Sequence, residues 1–62
     1  MLYDVAEVAR AQGLQEADLV DFAISRDVKH KIFVERGEVK VTDWNVDTLV
    51  ADFKREQVED FF

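Results

Sequence analysis

The side chains able to do chemistry are few and unevenly placed. There is one histidine, His30, one serine, Ser25, and no cysteine. His30 has no second histidine at ligand spacing, so no metal site is expected. Ser25 lacks the flanking glycines of a nucleophile elbow. With only Gly13 and Gly37, no glycine-rich loop is present to cradle a phosphate. Carboxylates are plentiful, but their spacing puts them on helix surfaces, where solvation is the ordinary state. These residues give no catalytic site and call for no cofactor, so a non-enzymatic role is expected.

Charge is the remaining chemical signal. The net charge is −6. Residues 26–40 carry Arg26, Lys29, Lys31, Arg36 and Lys40 against Asp27, Glu35 and Glu38, a local excess of +2. The flanks, residues 1–25 and 41–62, each carry −4. An acidic body thus holds a mildly basic centre. Strong nonspecific nucleic-acid binders are normally basic overall, which this chain is not.

Sixty-two residues make one domain, 1–62, with 55–62 read as a C-terminal helical extension. A domain this small buries only about 60% of the surface its unfolded chain exposes, so marginal stability is expected. An apolar fraction of 48% argues against disorder. No apolar run approaches the roughly 20 residues of a membrane span. Met1-Leu2-Tyr3-Asp4 does not read as a signal peptide. Absence of cysteine fits a reducing compartment, and a cytoplasmic location is expected.

Periodicity predicts an α+β, mostly helical fold: helices near 4–12, 15–26 and 45–60, and one two-stranded hairpin near 31–42. Asp4 is an N-cap and Glu7 completes a capping box. Gly13 supplies the left-handed residue that ends the first helix. In the second helix Ala17, Leu19, Val20, Ala23 and Ile24 share an apolar arc, opposite Asp18, Asp21 and Ser25, with Phe22 beside the polar side. Ile32-Phe33-Val34 and Val39-Lys40-Val41 flank a tip at Arg36-Gly37. That register sets Val34 against Val39 and Ile32 against Val41 as a buried face, and sets Glu35 against Glu38, which a bulge at Gly37 would relieve. Asn45 caps the last helix, whose stripe is Val46, Leu49, Val50 and Phe53. Trp44 is expected to cover the core where hairpin meets helix.

The order helix–turn–helix–hairpin–helix resembles the small winged helix-turn-helix domains of the phage excisionase and MerR-like group. The likeness rests on Val5-Ala6-Glu7-Val8-Ala9, Gly13-Leu14, Asp18-Leu19-Val20, Val39-Lys40-Val41 and the closing run Val46–Phe53, and covers roughly residues 3–54. Residues 3–24 are also similar to the small N-terminal helical domain of bacterial translation initiation factors. The first resemblance implies DNA binding, with the second helix in the major groove and the hairpin as a wing. Groove-facing positions would be Gln15, Asp18, Asp21, Phe22 and Ser25. Members that bind DNA usually place Arg, Lys, Thr or Asn there, and here two aspartates would face phosphates. The residues implied to touch DNA are Arg26, at the end of the second helix, and Lys29, His30, Lys31, Arg36 and Lys40 of the wing.

Two functions are therefore expected of this sequence. One is a DNA-associated regulator, a recombination or transcription accessory factor, contacting DNA weakly through the basic wing. The other is an acidic protein-interaction module, a phage or mobile-element inhibitor or adaptor, using Asp18, Asp21 and Phe22. Val58, Phe61 and Phe62 lie beyond the stripe that fills one small core and point to a homodimer through the last helix.

Overall fold

Asp4 joins two elements with no loop between them. It is the last residue of strand β1 (Leu2–Asp4) and the N-cap of helix α1 (Val5–Gln12). Its backbone is extended (φ −74°, ψ 121°), and its Oδ1 accepts from the Ala6 N–H at 2.9 Å. One orphan donor of the first turn is thereby satisfied. Glu7 leans instead toward Arg10, 3.9 Å away. The computed structural model describes residues 1–59, with side chains through Gln57.

Helix α1 ends as its glycine predicts. Gly13 is left-handed (φ 72°); its N–H donates to the Arg10 carbonyl, and the Leu14 N–H reaches back to Ala9 at 2.8 Å. This is the paired bonding of a Schellman ending, and Leu14 packs onto the core beside it. Three residues, Gly13 to Gln15, then separate α1 from α2 (Glu16–Ser25). Arg26 breaks the helical path (φ −116°, ψ 28°), and a single turn, α3 (Asp27–His30), follows. Lys31 closes α3 in the left-handed region at φ 54°. Next come β2 (Phe33–Glu35), β3 (Glu38–Thr42) and α4 (Val46–Glu59).

The sheet has three antiparallel strands in the order β1-β3-β2. The hairpin register is the expected one, Val34 opposite Val39 and Glu35 opposite Glu38. No bulge is required at the tip: Arg36 and Gly37 both have positive φ, 51° and 77°, the condition for the two-residue turn that matches strand twist. The expected two-stranded hairpin and three helices are corrected to three strands and four helices among the described residues. β1 pairs with β3, Tyr3 opposite Val41 and Asp4 opposite Lys40. A three-residue strand has too little alternation to be seen in isolation, and its partner lies nearly forty residues away.

One apolar cluster holds these layers together. Val5 and Ala9 of α1, Leu19 and Ala23 of α2, Val39 and Val41 of β3, and Leu49 and Phe53 of α4 form it, with Val46 and Ile32 packed at its margin. Val50 is also buried, so the α4 stripe sits as expected. Three expectations fail at the edges. Val34, on the edge strand β2, is exposed, as are its two strand neighbours. Trp44 does not cover the core: it is 71% exposed, carried past the sheet by the turn that enters α4. Helix α2 is rotated from its expected arc. Ala17 and Ile24 face outward, while Phe22 turns in and meets the Phe53 ring edge-on, centroids 5.4 Å apart. Among the described residues, no helix is long and apolar enough to cross a membrane.

Candidate interaction surface

The six residues expected to touch DNA are scattered by the fold into different roles. Arg26, at the break between α2 and α3, reaches across to α4. Its Nη2 donates to both carboxylate oxygens of Glu56, at 2.9 and 3.0 Å, and its guanidinium carbon lies 4.8 Å from the Phe22 ring centroid. Phe22 is thus covered on two sides, by Phe53 and Arg26, and is half-buried.

Lys29 and His30 converge on one carboxylate. Lys29 Nζ lies 2.9 Å, and His30 Nε2 3.0 Å, from Asp52 Oδ2; Arg55 Nη2 lies 2.6 Å from Asp52 Oδ1. An ionised carboxylate can only accept, so the proton sits on Nε2 of His30, and Nδ1 faces Thr48 Oγ1 at 3.5 Å. His30 is 2% exposed, which removes its ring from the reach of any phosphate. In sequence His30 stands among cationic neighbours; the short α3 turns it inward against α4. The Lys29 ammonium, hydrogen-bonded to Asp52, holds that carboxyl below its usual value. Burial opposes the shift, and His30 and the Arg55 charge assist it.

The remaining three lie on the hairpin or beside it. Lys40 is half-buried between Asp4 (3.9 Å) and Glu38 (3.8 Å). Lys31 and Arg36 are exposed and form no ion pair among the described residues. Among the described residues, these two are the cations of the expected set without a carboxylate partner.

The acidic side chains behave differently. Asp18 and Asp21 are exposed on the outer face of α2 with no cation against them among the described residues. On the same helix Ile24 is 49% exposed, so the exposed surface of α2 is acidic and apolar together; Val28, 89% exposed, stands on the following turn, α3. Of the other residues expected to bind a protein, Val58, Phe61 and Phe62 lie outside the described side chains.

A feature not expected from sequence is a cleft of about 430 Å³ between β1, one face of α1 and the start of α4. Tyr3, Val8, Ala11 and Val46 supply its apolar lining, and Asp4, Glu7 and Asp47 its charge. Each of these acids has a local reason to exist, as an N-cap or in the first turn of a helix, where the macrodipole favours a carboxylate. Their convergence arises because the open face of α1 and the first turn of α4 lie side by side. Spacing along the chain carries no sign of that.

Comparison with protein-family models, with curated proteins and with solved structures finds no match to this chain.

Proposed function

We propose that this chain is a non-enzymatic protein-interaction module: a winged-helix-like frame whose exposed helical surface is acidic, acting as an inhibitor or adaptor through protein contact. The frame is supported by α1 and α2 joined by a short glycine-containing turn and followed by a hairpin. One observation carries the choice of partner. Four of the six residues that would grip DNA are engaged within the fold, Arg26 by Glu56, Lys29 and His30 by Asp52, and Lys40 between Asp4 and Glu38. Meanwhile Asp18 and Asp21, on the helix that would enter the groove, stand uncompensated among the described residues. Phosphates would meet carboxylates there, and two free cations release few counterions in return. The outer face of α2, with Asp18, Asp21 and Ile24, is the surface favoured for a protein partner.

A second reading, DNA contact through the wing, is favoured by Lys31 and the hairpin-tip Arg36, both exposed. Fluorescence anisotropy with a labelled random duplex separates the two. At about 0.15 M salt the intact chain is expected to bind with a Kd above about 10⁻⁴ M, the weak end of nonspecific affinities. Binding near 10⁻⁶ M, weakened and made less salt-dependent by K31E/R36E, would overturn the protein-binding reading.

A further inference from the structure

We infer that the cleft between β1, α1 and the start of α4 is a second docking site, separate from the α2 face, and that it accepts a short cationic amphipathic segment of a partner protein. Its volume, about 430 Å³, lies within the range of clefts that bury ligand-sized groups. Such a volume seats the apolar side chains of one short segment, not a broad protein face. The apolar lining is incompletely covered by the chain itself: Tyr3 is 40% exposed, Ala11 is exposed, and Val8 and Val46 are half-buried. In a domain with few apolar residues to spare, four of them line one open concavity.

Charge selects the occupant. Asp4, Glu7 and Asp47 line the cleft, and no lysine or arginine does. Three cations approach from outside the lining and are shared with other groups: Arg10 lies 3.0 Å from Glu16 and 3.9 Å from Glu7, Lys40 is 3.9 Å from Asp4 and 3.8 Å from Glu38, and Lys54 Nζ donates to Oε1 of the lining Gln12 at 3.3 Å. Asp47 has no ion pair among the described residues. An anionic or purely apolar segment would leave these carboxylates facing like charge or stripped of water. A segment presenting apolar side chains to Val8, Ala11 and Val46, with lysine or arginine at their flanks, satisfies both features. The chain's net charge of −6 would also steer such a segment toward it. The helix N-terminal dipoles temper the negative field, so the apolar contact must supply much of the selectivity.

The test is an NMR titration of the isotopically labelled full chain with a capped peptide of leucine and lysine patterned as an amphipathic helix. A scrambled peptide of the same composition and a leucine–glutamate peptide of the same pattern serve as comparators. Saturable amide shifts are expected at Tyr3, Val8, Ala11 and Val46 with the patterned cationic peptide, and at least several-fold weaker binding with either comparator. E7Q/D47N, at two exposed positions, should weaken binding at least fivefold and reduce its salt dependence. A11F, which fills the cleft without altering charge, should weaken it at least tenfold. Amide dispersion of each variant reports that it is folded. The inference is overturned by the absence of saturable shifts, by shifts spread over all acidic faces and insensitive to A11F, or by cleft shifts that grow with protein concentration alone, which would make a second copy the occupant. Shifts confined to Asp18, Asp21 and Ile24 would remove the cleft while leaving the α2 reading intact. Failure of the protein-binding reading is registered separately, by duplex affinity.

Discussion

Replacing Phe22 with alanine distinguishes a ring that anchors a partner from a ring that holds the fold. Phe22 is half-buried, edge-on to Phe53 and covered by the Arg26 guanidinium. A fully buried Phe→Ala change costs about 3–5 kcal/mol, so this half-buried ring should cost about 2–3 kcal/mol. Part of that is the lost edge-to-face pair, about 0.5–1.5 kcal/mol. At roughly 0.05–0.15 kcal/mol per residue, a chain of 62 residues is stable by only about 3–9 kcal/mol. With an unfolding entropy of about 2.1 cal/mol/K per residue, or about 0.13 kcal/mol/K for the chain, the melting temperature should fall by roughly 15–25 °C. Thermal unfolding of the intact chain and of F22A, followed by far-ultraviolet circular dichroism, measures it. F22L, which keeps most of the apolar area, should recover most of the loss. A fall of less than about 5 °C for F22A would refute the packing assignment and restore Phe22 to the outer face of α2.

Acid stability and tryptophan emission check two further parts of the structure. Because Asp52 is held below its ordinary value of 3.8, its contribution to stability is complete above that value and is lost as pH falls through the depressed one. D52N should be less stable than the parent in urea at neutral pH, and the gap between them should close under acid; a gap that stays constant from about pH 6 to about pH 2.5 would show that the Lys29–Asp52–His30 cluster does not act as described. Trp44, being mostly exposed, should emit at the red-shifted wavelength of a hydrated indole and be readily quenched by acrylamide in the folded chain, with little change on unfolding. A blue-shifted, protected emission would place it in the core after all.

Local stereochemistry was legible from residue types wherever the controlling interaction spans only a few residues. Asp4 as N-cap, Gly13 as the left-handed terminator, Arg36-Gly37 as the tip and the Val34–Val39 register could all be read directly. The stripe Val46, Leu49, Val50 and Phe53 could be read because a helix repeats its facing residues every three or four positions. The rotation of α2 was not legible. Leu19 and Ala23 face inward in either orientation, and the sequence alone could not say whether Ile24 or Phe22 joins them. The larger ring wins because Phe53 and Arg26 converge on it from two sides.

What the chain determined by itself was its class and its charge: a small α+β fold, acidic at both flanks and basic between them, without cysteine. What only the tertiary structure decided was which of those charges face outward. Arg26, Lys29 and Lys40 look alike in sequence to Lys31 and Arg36, yet the first three meet carboxylates contributed by α4, β1 or β3. The pairing of β1 with β3 and the cleft lined by Glu7 and Asp47 follow the same rule. Composition sets how much charge a surface can carry, but packing between elements distant in sequence sets which charges are left for a partner, because an ion pair depends on separation in space and not along the chain.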